Sequence, residues 1–395
     1  MENHLKQVDF IHMYHLYSEY YLPKIKLHYK RKLLDTEKKD ILKVYLDSKF
    51  LSEKIAIKLG AKVNKMNIYD YEYRLIFNQG VVGFHFISQK SITSITKLIR
   101  YYFFIVFLRI NYVNKNKVLN FMNNVYIYLI TVPIAKKLSI PISVDDVNSA
   151  CTQVYNEYYG GPVYIWREDE LAKVLLHEAL HSVHYDWEII NQALIPELKN
   201  LETNISRENG LNANESYNEL GATFFMSLFS LKAKPEDKRK EKRLIREYML
   251  KELDYSFDNC AKILLKYGVH DSNDCNNLKT VEKCDYRQEA SAYSYILLKG
   301  GLLWYILYKI KYDKKHEDRL NCLEQFMSIG FWGKMGASFQ RILVQILKDK
   351  AFNKIINKRI KKMKAVKRRG RPEDFFFTYH GWKGKGKGKG KGKID

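Results

Sequence analysis

The residues of this chain with the clearest chemical potential are two histidines and a glutamate in one short segment, VLLHEALH, at positions 174–181. His177 and His181 are four positions apart, and Glu178 follows the first of them. Residues four apart lie on the same face of an α-helix, so both imidazoles can bind one metal ion. Glu178 then lies where its carboxylate can take a proton from a water on the metal. The spacing therefore predicts a zinc site with its own general base.

The sequence around this motif predicts the helix that the motif needs. Acidic residues in the first turn and an apolar stripe of leucine and valine indicate a helix over 168–185, and a short strand is predicted at 163–166, after the turn Gly160-Gly161-Pro162. Zinc lowers the pKa of its bound water, and Glu178 can pass the proton to a leaving amine. We therefore expect a zinc-dependent peptidase. The plain alternative is a core helix with two incidental histidines.

A third protein ligand is expected because a catalytic zinc usually has three and keeps one position open. A second helix is predicted from Ala213 to Leu231, and Glu215 and Glu219 lie on one face of it. Gly221 and Ala222 are small enough to let this helix approach another closely. Either acid can be the ligand, and the alternative is a pair of solvated carboxylates. His184 is expected to be a partly exposed helix residue.

The second helix resembles that of the gluzincins, zinc peptidases with a glutamate ligand. In the pattern N-E-x-x-x-D/E, the resemblance implies that Glu215 is the ligand and that Glu219 contacts a zinc histidine. In the pattern E-x-x-A followed by aromatic residues, it implies that Glu219 is the ligand. We prefer Glu219, because Ala222 and Phe225 follow it. A tyrosine or histidine from a later helix often stabilises the oxyanion in gluzincins, which points to Tyr295, or else to Tyr293.

A wider set of short motifs resembles zincin-like proteins of large cytoplasmic DNA viruses. The motifs cover roughly residues 120–310, and they are TVP at 131–133, KK at 136–137, DVNS at 146–149, WREDE at 166–170 and QEASAYSYILLK at 288–299. The resemblance implies a zincin-like fold and a bound metal, and it does not indicate a substrate. It also places the protein in the cytoplasm, as a viral protein in the host cytoplasm or the virion.

The expected fold class is α+β, with four regions. Residues 1–115 form an N-terminal, mostly helical or mixed region, and residues 116–235 form the zincin-like core with a small mixed sheet, the active-site helix and the second ligand helix. Residues 236–363 form a C-terminal helical subdomain, and residues 364–395 form a disordered basic tail. The predicted strand at 163–166 is an edge strand that can align an extended substrate by strand addition.

The charge of the chain favours an anionic partner. The formal net charge is +23, and the tail combines the segment KRRGRP at 367–372 with an alternating Lys-Gly run from 383 to 393. A nucleic acid or another polyanion is therefore expected to bind residues 365–395. Arg369-Gly370-Arg371-Pro372 also matches the core of a minor-groove AT-hook, although acids and phenylalanines follow it. The alternatives to a peptidase are a catalytically silent zincin-fold scaffold, a nucleic-acid-associated viral protein and a structural zinc site.

Cysteine usage and hydropathy predict a protein of a reducing compartment without a transmembrane segment. The five cysteines are odd in number, and no pair has C-x-x-C spacing. The most apolar runs, 101–108 and 125–134, are shorter than the ~18–20 residues that span a bilayer. They are expected to be buried strands or core helix segments.

Overall fold

The computed structural model describes residues 8–46, 51–77, 80–112, 125–134, 136, 139–156, 159–205, 211–232, 234–272, 288, 290–309, 322–328 and 336–367. The first four residues of the predicted tail, 364–367, are the end of a helix. The rest of the tail lies outside the described residues.

Helices are the more frequent elements and six strands form the sheet. The α-helices are α1 Phe10–Leu16, α2 Asp35–Leu46, α3 Glu53–Val63, α4 Ile92–Tyr112, α5 Val144–Val147, α6 Leu171–Ser182, α7 Trp187–Ile190, α8 Pro196–Ile205, α9 Ala213–Leu228, α10 Lys238–Lys266, α11 Lys299–Trp304, α12 Gly336–Lys348 and α13 Lys350–Lys367. Turns of π-helix, Tyr17–Tyr21, Ser294–Leu298 and Tyr305–Lys309, adjoin α1 and α11. The strands are β1 Lys26–Lys32, β2 Tyr69–Phe77, β3 Gly80–Ser88, β4 Val125–Val132, β5 Ala150–Asn156 and β6 Tyr159–Arg167.

The six strands form one mixed sheet in the order β1-β2-β3-β4-β6-β5. Strands β3, β4 and β6 are parallel to one another, while β1, β2 and β5 pair antiparallel with their neighbours. The expected edge strand at 163–166 belongs to β6, which has β4 on one side and β5 on the other. That expectation is therefore wrong, because residues 150–156 add a strand outside β6. The strand at this edge of the described sheet is β5, and β1 lies at the opposite edge.

The sheet separates two layers of side chains. On one face, Ile127 and Val163 join the large hydrophobic core that also holds α4, α6 and α9. On the other face, Tyr164 and Trp166 pack in a smaller cluster with α2 and α3. Successive strand residues point to opposite faces, so β6 contributes to both layers. The structure thus confirms the α+β class.

The apolar run at 101–108 is helical. It lies in α4, which connects the parallel strands β3 and β4, and every side chain in this run is buried. Such a run has no polar face to reveal a helical period, so its sequence fits a strand and a core helix equally well. Helix α4 also contacts α6, the helix that carries His177 and His181, because the Tyr102 hydroxyl lies 3.0 Å from Ser182 Oγ in α6.

Two further expectations concern membranes and thiols. In the described part of the chain, no helix has the length and apolar character that crossing a bilayer requires. Cys151, Cys260 and Cys322 are buried free thiols, and Cys275 and Cys284 lie outside the described residues.

Candidate metal centre

Helix α6 carries three of the candidate residues on one buried stripe. Lys173, His177 and His181 follow one another at intervals of four residues, and all three side chains are buried. The helix is shorter than the predicted span of 168–185, because Glu170 and His184 have positive φ values of 57°. A non-glycine residue in this left-handed region interrupts an α-helix. His184 is also buried rather than partly exposed, and it lies outside the helix and the metal-binding group.

Helix α9 packs closely on α6 and brings its acids to the histidines. The two helices are in close contact at Gly221, where an added Cβ would lie 2.9 Å from Leu180 Cδ1 of α6. A larger residue at this position would require the Leu180 side chain or the helix to shift. The small residue that the sequence singled out thus permits the contact, and Glu215 and Glu219, six and two residues before it, both reach His177.

Three donor atoms converge on one point between these helices. Glu215 Oε2 lies 2.9 Å from His177 Nε2 and 3.3 Å from His181 Nε2. The two Nε2 atoms are 3.1 Å apart. All three atoms fall within 4.8 Å of one another, and the group His177, His181 and Glu215 could hold a metal ion. Two imidazoles and one carboxylate are a donor set that suits zinc, and they leave room for a further ligand.

The preference for Glu219 as the third ligand is not supported by this geometry. Glu219 Oε2 lies 3.1 Å from Nδ1 of His177, on the side of the imidazole away from the three converging atoms. Its other oxygen, Oε1, accepts a hydrogen bond from Lys173 Nζ in a buried ion pair. Lys173 and His177 therefore occupy both oxygens of Glu219, and Glu215 takes the position facing both Nε2 atoms. This arrangement fits the N-E-x-x-x-D/E alternative better.

His181 is oriented in the same way by residues that the sequence analysis did not identify. Asp186 Oδ2 lies 2.9 Å from His181 Nδ1, and Asn214 Nδ2 donates to that same Asp186 oxygen over 2.9 Å. Asn218 Nδ2 is 2.8 Å from His181 Nδ1. A carboxylate on Nδ1 fixes the imidazole with Nε2 free for a metal, and it raises the basicity of that nitrogen.

The charges of the centre favour a cation. Burial by itself would lower the pKa of His177, but its hydrogen bonds to the accepting carboxylates of Glu215 and Glu219 raise it to about 9. Burial would likewise raise the pKa of Glu215, whereas the charges and hydrogen bonds of His181 and His177 hold it well below its ordinary value. A metal ion between the two Nε2 atoms would displace any proton from the nitrogens that bind it.

Glu178 lies on the neighbouring face of α6, toward the sheet edge. Its Oε2 accepts a 2.7 Å hydrogen bond from the Thr152 hydroxyl in β5. Burial raises the pKa of the Glu178 carboxyl, although the nearby imidazoles act in the opposite direction. Strand β5 therefore contributes a side chain that orients the candidate general base. The sequence offered no sign of this contact, because Thr152 is 26 residues away from Glu178.

Tyr295 is at the centre and Tyr293 is not. The Tyr295 ring is 5.8 Å from the His177 ring, and its hydroxyl hydrogen-bonds Glu215. Burial raises the pKa of this hydroxyl well above its ordinary value, so it carries its proton at neutral pH. Tyr293 is fully buried, and its side chain lines neither of the two cavities at the centre.

A cavity of about 350 Å³ gives access to the centre. Its lining includes Thr152, Glu178, Glu215 and Tyr295, as well as both histidines. The cavity thus lies between the edge strand β5 on one side and α9 with Tyr295 on the other.

The comparison of this chain with protein-family models, with curated proteins and with solved structures finds no match in any of the three, so the function proposed below depends on this geometry.

Proposed function

We propose that this protein is a zinc-dependent peptidase. The observation that carries the proposal is the position of Glu178, which lines the same open cavity as His177, His181 and Glu215. A purely structural metal site needs no such carboxylate. The two histidines and Glu215 would hold the zinc, which supplies Lewis acidity and lowers the pKa of a bound water.

Glu178 acts as the general base and acid. Thr152 holds one carboxylate oxygen, Oε2, and the other oxygen takes a proton from the attacking water. The carboxylic acid then gives this proton to the amine of the departing peptide fragment. The raised pKa of Glu178 suits this exchange, because a base that is too weak does not take the proton.

The cavity walls supply the remaining functions that peptide hydrolysis needs. Strand β5 is at the edge of the described sheet, so an extended peptide can add to it as a further strand beside Glu178. The Tyr295 hydroxyl carries a proton and can donate a hydrogen bond to the oxyanion that forms at the attacked carbonyl.

The metal is the first test of the proposal. Protein purified without chelator should contain about one zinc ion per chain, and phenanthroline should abolish hydrolysis of a fluorogenic peptide library. Added zinc should restore hydrolysis, and His177→Ala should neither bind zinc nor recover. Elemental analysis and zinc titration provide the measurement. If the wild-type protein contains no zinc and takes up none, the proposal is wrong.

Substitution of Tyr295 tests the oxyanion assignment. Tyr295→Phe removes one hydroxyl, and kcat should fall by about 100- to 1000-fold while KM changes little, because the donor acts mainly in the transition state. Zinc content has to be measured in the same preparations, since the hydroxyl also contacts Glu215. Tyr293→Phe is the matched control and should retain full activity. An unchanged kcat in Tyr295→Phe with normal zinc would remove this residue from the mechanism.

A further inference from the structure

The positive charge of the chain is concentrated near its C-terminal end. Seventeen of the 67 Lys and Arg residues follow Asp349, but only three of the 44 acids do. Helix α13 contains eight basic residues and no acid between 350 and 367. This segment therefore continues the basic composition of the tail into a folded helix.

Helix α13 is held in the core by one face. Phe352, Ile356 and Ile360 are fully buried, at 0 % exposure each. The carboxylate of Asp349 caps the first turn by accepting from the backbone N–H groups of residues 351 and 352. The apolar side of the helix is thus buried against the rest of the protein.

The opposite face of α13 presents a stripe of four exposed lysines. Lys350, Lys354, Lys358 and Lys361 are spaced by three or four residues, so they lie along one side of the helix over about 16 Å. Among the described residues, no carboxylate lies within 4.0 Å of any of these ammonium groups. The acids of α10 that contact α13, Asp254 and Asp258, pair with Arg359 on the far side of the helix.

We infer that this lysine stripe binds the phosphate backbone of duplex nucleic acid. A row of ammonium groups that have no carboxylate partner in the described part of the chain complements a row of phosphates, because duplex DNA carries about one negative charge per 1.7 Å of its axis. The stripe contains no aromatic side chain that could stack on bases, so contacts to the backbone without sequence preference are expected. An anionic bilayer fits less well, since membrane-surface helices insert an apolar face and that of α13 is buried.

The experiment compares two full-length variants that lose the same charge. In the first, Lys350, Lys354, Lys358 and Lys361 are changed to Gln. In the control, four lysines of α2 and α3 that are also exposed, Lys39, Lys43, Lys54 and Lys58, are changed to Gln. Binding of a short fluorescent DNA duplex is measured by anisotropy over a series of salt concentrations, and thermal unfolding confirms that both variants are folded.

The stripe variant should bind the duplex at least about tenfold more weakly, and its log–log salt slope should be smaller by about 3 to 4, since each phosphate contact contributes about 0.9. The control should match the wild-type protein, and duplexes of different sequence should bind equally. Equal affinity and slope in the two variants would overturn the inference. Binding to phosphatidylserine vesicles in preference to the duplex, with the same loss in the stripe variant, would also overturn it.

Discussion

Glu178→Gln should remove peptide hydrolysis while leaving the protein folded and loaded with zinc. The substitution keeps the size of the side chain, and the amide oxygen can still accept the hydrogen bond from Thr152. It removes only the ability to take up and return a proton. Because general acid–base catalysis contributes about 100- to 10,000-fold, kcat should fall by that factor with little change in KM.

Three measurements on the same preparation make this result decisive. Zinc content and melting temperature should equal those of the wild-type protein, and hydrolysis of the peptide library should be at background. Glu53→Gln, an exposed glutamate of α3, is the matched control and should be fully active. Equal hydrolysis by the wild-type protein and Glu178→Gln would assign the activity to a contaminant. A zinc-loaded wild-type protein that cleaves no peptide would instead support the silent scaffold.

The second large effect is expected at Glu215. Glu215→Ala removes one of the three converging donor atoms, so zinc affinity should fall by much more than 100-fold. Glu219→Ala removes only the partner of His177 Nδ1, for which a loss of about 10- to 100-fold is typical. Competition with a chromophoric chelator measures both affinities. The opposite order would return the role of third ligand to Glu219.

The comparison needs a control for stability, because Glu219 also forms a buried ion pair with Lys173. Removing one partner of a buried pair can cost about 3–5 kcal/mol in the free energy of unfolding, so Glu219→Ala is expected to melt at a lower temperature. Lys173→Met breaks the same ion pair and leaves every atom of the histidines and acids in place. If Lys173→Met and Glu219→Ala lose stability alike while Glu215→Ala alone loses zinc almost completely, ligation and folding are separated.

Local geometry made part of the centre predictable. His177 and His181 are four residues apart, and in any α-helix this spacing places both side chains on the same face. The same rule placed Glu215 and Glu219 together on the second helix. Because a catalytic zinc usually has three protein ligands, an acid of the second helix was expected beside the two histidines, although the two helices are more than thirty residues apart in sequence. These inferences depend only on neighbours within one or two helical turns.

The choice between Glu215 and Glu219 could not be made from spacing, because both acids lie on the same face of α9. It depends on how α9 lies along α6, with which it is in close contact at Gly221. It also depends on Lys173, which binds Glu219 and keeps it on the outer side of His177. Lys173 is one turn before His177 on the same stripe, so its proximity to the centre was predictable, but its choice of partner was not.

The sequence by itself determined the α+β class, the two histidines on one helical face and the acidic helix opposite them, because periodicity and spacing act over a few residues. Only the tertiary structure decided which acid faces both imidazoles, which strand is at the edge of the described sheet, and that Thr152 holds Glu178. Each of these results depends on contacts between segments that are distant along the chain. The packing of whole elements against one another determines such contacts, and no short pattern of residues encodes it.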